Sequence, residues 1–319
     1  MKFIDALDTV QTFSRASVEG HGEDSFYSAN TESTAIISVF DGSGGSGAMT
    51  YDIFSGHTGA YVASRALSGT LREWYMETSR SPVTDKNQII AGIDSYFRSG
   101  FRVCSSLGTS NMRIRSTMIR DFPTTAAGAY AYVKDDRIHV TIFWAGDSRV
   151  YLLNSRGLRQ LTEDDAYGDA METLQNNPPM TNVLSSDGNY VLHSKTFAVT
   201  SPMMIFAATD GCFGYVHTPM HFEYMVLQSI CASSSPVQFN AMLDSAMHSV
   251  AGDDYTFSYM SFLYGNYDNL KADMNVRLQF MEQNYMIPLS TRRNDAAYIN
   301  ALWQIYRKDY EAYLNRSAS

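Results

Sequence analysis

The sequence predicts an α+β fold: a central sandwich of two antiparallel β-sheets flanked by helices, with extra helices at the C-terminus. Three observations carry this expectation. Short apolar runs with a period of two recur between polar turns, as in GAYAYV (128–133), IHVTIFWAG (138–146), RVYLLN (149–154) and LRQLT (158–162). Longer stretches with helical spacing stand apart from these strands and do not alternate with them one for one, so the sheets are not built from βαβ units. Two apolar strands, TAIISVFDG (34–42) and MMIFAATDG (203–211), end abruptly in Asp-Gly.

Taken in order, residues 9–40 read as strands with a polar connection, and the DGSGGSG stretch (41–47) is too glycine-rich for a regular element and reads as a loop. Val62, Ala66, Leu67, Leu71, Trp74 and Tyr75 give a helix over about 59–77. Ile89, Ile90, Ile93, Phe97 and Phe101 give a second over 87–107. The consecutive antiparallel strands follow, separated by KDDR (134–137) and NSRG (154–157). Residues 163–190, polar and carrying Pro178 and Pro179, read as a surface flap. A helical stretch over 219–250 and a last strand over 255–265 complete a body of residues 1–266. In the tail, 267–319, Leu270, Met274, Leu278 and Met281 form one helical stripe, and Ile299, Leu302, Tyr306, Tyr310 and Tyr313 another. Two C-terminal helices packed on the body are expected, the tyrosines covering the sandwich edge or meeting a partner.

Composition narrows the function. With 24 Lys+Arg against 33 Asp+Glu, the formal charge of −9 argues against a broad nucleic-acid surface and suits cation binding. The three cysteines, Cys104, Cys212 and Cys231, form no CxxC pair, so neither a zinc site nor a disulfide framework is expected. No apolar run is long enough for a membrane span, and the acidic start is unlike a signal peptide, so the expected compartment is the cytoplasm.

Chemistry concentrates where strands meet turns. Glu23 and Asp24 lie in GHGEDSF, Asp41 in VFDGSGG, Asp147 in WAGDSRVYL, Asp210 in ATDGCFG, and Asp253 and Asp254 in GDDYTFSYM. A carboxylate directly beyond a buried strand is rigidly held yet points out of the core, so strand ends far apart in sequence can gather several. Such oxygen donors suit Mg²⁺ or Mn²⁺, and a pair of ions sharing a carboxylate can activate water for attack on phosphorus. Taken singly, each Asp-Gly is equally an ordinary turn. The loop at 41–47 lacks the Lys-Ser/Thr of a P-loop, and none of the seven histidines belongs to an HExxH. Ser46, in GGSGA, only echoes a nucleophile elbow.

The ordered set GEDSF, VFDGSGG, TTAAGAYAYV, WAGDSRVYLL, LTEDD, ATDGCFG and DDYT resembles the metal-dependent PPM, or type-2C, serine/threonine protein phosphatases over roughly residues 12–264. The resemblance implies two, or in some members three, Mg²⁺ or Mn²⁺ ions and a phosphorylated protein as substrate, with neither nucleic acid nor membrane as partner. It places Asp41 as the bridge between two ions. The Gly42 carbonyl and Glu23 would serve the second ion, Glu23 directly or through water, and Asp210 and Asp253 the first. Asp24 would orient waters on the ions, and Asp147 with Asp210 would hold a third, weaker one.

The sequence also departs from the family pattern. Ser43 replaces the histidine of DGH, and a hydroxyl has no comparable proton affinity near neutral pH. His57 lies close enough in sequence to fold back, or is an ordinary loop histidine. The phosphate-binding arginine aligns with Glu19, leaving Arg15 as the nearest candidate. Gly214 replaces the second Asp of the DGxxD turn, and Asp254 replaces the asparagine of DNxT, adding negative charge. Two readings follow: an active phosphatase, or a phosphatase-like scaffold that binds partners without turnover.

Overall fold

The computed structural model describes residues 2–107, 120–176 and 178–314. Among them, the strands are β1 (Leu7–Arg15), β2 (Ser25–Asn30), β3 (Thr34–Phe40), β4 (Thr50–Tyr51), β5 (His57–Thr58), β6 (Ala126–Lys134), β7 (Arg137–Ala145), β8 (Arg149–Asn154), β9 (Gly157–Gln160), β10 (His193–Ala198), β11 (Met203–Ala208) and β12 (Tyr255–Phe262). One sheet runs β1-β12-β11-β8-β9, the other β10-β7-β6-β3-β2, and every pairing is antiparallel. The short pair β4-β5 stands apart.

Period-two patterning divides the side chains into three layers. Along β12, Tyr255, Phe257 and Tyr259 face helices, while Met260 and Phe262 join the interior between the sheets. Along β3, Ile36 and Phe40 face the opposite helices, and Ala35, Ile37 and Val39 face inward. Both faces of these strands are therefore dry, which explains their near-continuous apolar runs. The helices are α1 (Phe3–Ala6), α2 (Gly44–Gly47), α3 (Gly59–Thr78), α4 (Lys86–Leu107), α5 (Ala170–Asn176), α6 (Pro219–Ala232), α7 (Pro236–His248), α8 (Tyr267–Met281), α9 (Ile287–Thr291) and α10 (Ala296–Tyr310). The pair α3 and α4 covers the β3 sheet, and α6, α7, α8 and α10 cover the other.

Several local expectations change. The loop at 41–47 contains one helical turn, α2, in which the Ser43 carbonyl accepts from the amides of Ser46 (3.1 Å) and Gly47 (2.9 Å). The strands over 128–160 are not one meander. After β7 the chain turns at Gly146, whose φ is +94°, and crosses to the other sheet, where β8 pairs with β11. The helical stretch over 219–250 is two helices, because Pro236 opens α7 and Ser235 caps it, its hydroxyl accepting from the Gln238 amide. The sequence reading passed over β10, an edge strand. Within the expected flap, Leu184 exchanges backbone hydrogen bonds with Thr124 (2.9 and 3.0 Å) and is fully buried.

The tail is α8, continued by a π-helical turn (Glu282–Met286) into α9, and then α10. Trp303, Tyr306 and Tyr310 of α10 are buried in the same apolar layer as β8, β11 and β12, whereas Tyr313 is 47% exposed. No helix among the described residues is long and apolar enough to cross a membrane.

Candidate active site

Strand register gathers the carboxylates. Ser25 pairs with Phe40, so Asp24, one step before β2, lies beside Asp41, one step after β3. In the other sheet Ala208 pairs with both Arg149 and Phe257, so Asp210 lies between Asp147 and the Asp253-Asp254 corner. All of these positions fall at one end of the sandwich. Asp41 and Asp210, from the two different sheets, come close enough for the charge of Asp210 to raise the pKa of Asp41. Asp24 is also a link between sheets: its Oδ2 accepts from the hydroxyls of Thr209 (2.9 Å) and Thr256 (2.8 Å) and its side chain is buried.

The electrostatics follow from this crowding. Burial, and after it Asp210, Asp24 and Asp147, raises Asp41 well above the usual carboxylate range. Burial likewise pushes Asp24 up to about 8, against the two threonine hydroxyls that favour its charged form. Asp147 is pushed up to about 8 by burial and then Asp210, and its Oδ1 is buried with no hydrogen-bond partner among the described residues. Asp210 is raised, chiefly by burial. Glu23 is raised by burial too, although the Thr58 hydroxyl donates to it.

The backbone supports the same end. The Asp41 carbonyl accepts from the Thr125 amide (2.8 Å) and the Thr124 hydroxyl (2.7 Å), which fixes the peptide beneath the side chain. The Gly42 carbonyl accepts from Gly44 N–H (2.7 Å). A Cβ at Gly44 would lie 2.3 Å from Glu23 Oε2, so glycine there leaves room for the carboxylate. Asp253 keeps an exposed face, with Oδ1 accepting from the Asp254 amide (2.8 Å), and the partial burial of its carboxyl, followed by the charge of Asp254, raises its pKa. Among the described residues, no three His, Cys, Asp or Glu side chains form a ready-made metal site.

Comparison with solved structures decides the fold. A bacterial serine phosphatase superposes with a TM-score of 0.59 at 16% identity, over 80% of this chain and 98% of that one. The fold is that of the type-2C phosphatases. The serine/threonine phosphatase Stp1 from Staphylococcus aureus gives 0.56 at 16% identity, over 81% of this chain and 96% of its own. The catalytic domain of the serine/threonine phosphatase PstP, solved with two manganese ions, gives 0.53 at 16% identity, over 81% and 99%. No family model matches the sequence, and no curated protein matches it.

Within the type-2C fold, the remaining candidate residues lie as follows. Arg15 is bound by Asp244 of α7: its Nε donates at 2.9 Å and Nη2 makes the second bond of a bidentate pair. Arg65 of α3, which the sequence reading missed, donates to the carbonyl of Gly22 (2.9 Å) and lies over the Tyr61 ring (3.5 Å). Arg15 and Arg65, together with Asp24, line one cavity of about 220 Å³. Only the helical phase of residue 65 could have signalled its proximity, since it stands one turn beyond Tyr61 and over forty residues from Glu23. His57 stacks flat on Tyr61, ring centroids 3.8 Å apart. Ser43 Oγ is buried without a hydrogen-bond partner among the described residues. Asp254 is a loop tie: Oδ1 accepts from the Ser17 amide (2.7 Å) and hydroxyl (3.0 Å), and Oδ2 from the Glu23 amide (2.6 Å).

A second cavity, also about 220 Å³, opens beside Asp147 and Asp210. Arg149 forms part of its wall. The guanidinium is almost fully buried, bidentate on Asp164 (Nε 2.9 Å, Nη2 2.6 Å), and lies 4.2 Å over the Phe213 ring. Burial opposes its charge, but Asp164 outweighs that and raises its pKa further.

Proposed function

We propose that this protein hydrolyses phosphoserine and phosphothreonine monoesters in proteins, using Mg²⁺ or Mn²⁺ held by the carboxylates at the end of the sandwich. The observation that carries the reading is the convergence of Asp24, Asp41, Asp147 and Asp210 from both sheets on one end of the sandwich, where each acts on the charge of Asp41. Carboxylates crowded together in this way repel one another, and a divalent cation among them would offset that repulsion. The donors fit such an ion in kind. They are all hard oxygens, and Mg²⁺ is commonly bound by one or two carboxylates and several waters, so a complete protein cage is unnecessary. The unpartnered Asp147 Oδ1 offers a further donor at the same end.

Asp41, Glu23, the Gly42 carbonyl, Asp210 and Asp253 are the groups that would hold the ions, and Asp147 would be a further donor. Once bound, the ions would supply an activated water and neutralise charge developing on the phosphoryl oxygens. Asp24, fixed by Thr209 and Thr256, would orient water from below. Arg15 and Arg65 are the cations closest to hand for a phosphoryl group, at the cavity they share with Asp24. The cytoplasm is the compartment in which such a phosphatase would meet its phosphoproteins.

The test is turnover of p-nitrophenyl phosphate with Mn²⁺, with and without chelator. Chelator and Asp41→Ala should each reduce turnover by at least about a hundredfold, the scale of losing a group that acts in the transition state. Metal-independent turnover, or full activity in Asp41→Ala, would remove the reading. A second reading, a non-hydrolysing scaffold, is favoured by one observation: Arg15 is bound by Asp244. Calorimetric Mn²⁺ binding with no turnover of any phosphopeptide would select it.

A further inference from the structure

We infer that helix α10 is a positioning element of the active-site wall, with Tyr310 and Arg307 fixing the cavity that holds the peptide flanking a phosphorylated side chain. The inference rests on the phosphatase reading for what the cavity binds, but not for the contacts. Two separate sets of polar contacts run from α10 to that wall. Tyr310 Oη donates to Tyr151 Oη (3.4 Å), and the same oxygen accepts from Arg149 Nη1 (3.2 Å). Arg149 in turn holds Asp164 and donates to the Thr173 hydroxyl of α5 (3.0 Å). Arg307 Nη1 (2.8 Å) and Trp303 Nε1 (3.3 Å) donate to Asp169 Oδ2. The other oxygen of Asp169 caps α5, accepting from the amides of Met171 (2.9 Å) and Glu172 (3.0 Å).

Arg149, Asp164, Thr173 and Leu174 line the cavity together with Asp147 and Asp210. Every one of the first four is on β8, on α5 or in the loop before it, the segments that α10 holds. Most of the chain of contacts is buried: Arg149, Tyr151, Asp169, Trp303 and Tyr310 all fall below one-tenth exposure. A buried polar link is geometrically strict, since each lost partner leaves an unsatisfied group. A seven-residue helix such as α5 has little stability of its own and takes its place from what anchors it. With a phosphoryl group at Asp41 and Asp210, the adjoining peptide reaches this cavity, whereas p-nitrophenyl phosphate has no such flank.

The experiment compares full-length wild type with Tyr310→Phe, Arg307→Met and, as a control on the exposed side of α10, Ile305→Ala. For the first two, KM for a phosphopeptide should rise about threefold to tenfold, the worth of one hydrogen bond. Turnover of p-nitrophenyl phosphate should stay within about twofold, because the carboxylates are untouched. Ile305→Ala should change neither. Equal losses on both substrates, or no loss on either, overturn the inference. Hydrogen exchange gives a readout independent of activity: Arg307→Met should speed exchange at the Met171 and Glu172 amides by about tenfold while β3 stays protected. Unchanged exchange also overturns it. If wild type hydrolyses neither substrate, the phosphatase reading falls and exchange alone decides whether α10 anchors α5.

Discussion

At the scale of single residues, the site depends on how closely main chain can pack around its carboxylates. Gly211 follows Asp210, and a Cβ there would lie 1.9 Å from the Asp254 carbonyl oxygen. That neighbour is backbone and cannot swing aside. Gly211→Ala should therefore cost about 1–3 kcal/mol or more by overpacking, read as a lower urea midpoint. That Asp41 and Asp210 stand at strand ends was legible in the sequence because each abuts a fully buried apolar strand, and a strand end fixes direction as well as place. The partner of Arg15 was not legible: Asp244 is 229 residues away and is brought to it only when α7 packs on β1. Asp254, read as extra charge for an ion, is used up by the amides and hydroxyl of Ser17 and Glu23, contacts that nothing in DDYT announces.

At the scale of elements, the sequence spoke most clearly where one periodicity ran long. Helices α3 and α4 and strands β3, β6, β11 and β12 lie where the patterns put them. The crossing from β7 to β8 was hidden, because two apolar strands joined by Ala-Gly-Asp-Ser look the same whether they pair or part. What separates them is the positive φ of Gly146 and an anchor behind it, Asp165, which accepts from the Gly146 amide (2.9 Å) and meets His193 Nε2 of β10 (2.9 Å). The Asp165 carboxylate raises the pKa of His193. Its stabilising contribution is thus complete below the ordinary histidine value and fades as pH rises through the raised one. The stability difference between wild type and His193→Gln should shrink as pH rises above about 6.5, the ordinary histidine value, with wild type the more stable at the acid end. Denaturant midpoints across that range measure it; a difference that grows with pH would contradict the pairing.

At the scale of the molecule, the C-terminal helices belong to one packed layer with the sheet. Glu223 of α6, with no exposed surface, accepts from Arg277 of α8 (2.7 and 3.0 Å), Tyr306 of α10 (2.7 Å) and the Leu158 amide of β9 (3.1 Å). Four segments thus meet at one carboxylate. Glu223→Ala strands a buried guanidinium and should cost about 3–5 kcal/mol, seen as a large drop in thermal midpoint. The tail's aromatic stripe was legible as a helix, but its depth of burial was not, since a stripe of tyrosines is compatible with a core or a surface.

The pairing of β1 with β12 has a temporal consequence. Thr9 to Arg15 are laid against residues 255–261 at the far end of the body. A chain emerging from the ribosome exposes this first strand long before its mate exists, so its polar edge and the apolar side chains Val10 and Phe13 must wait for almost the entire body to be synthesised. Assembly of that sheet, and with it the corner that carries Asp210 and Asp253, is therefore a late and cooperative event.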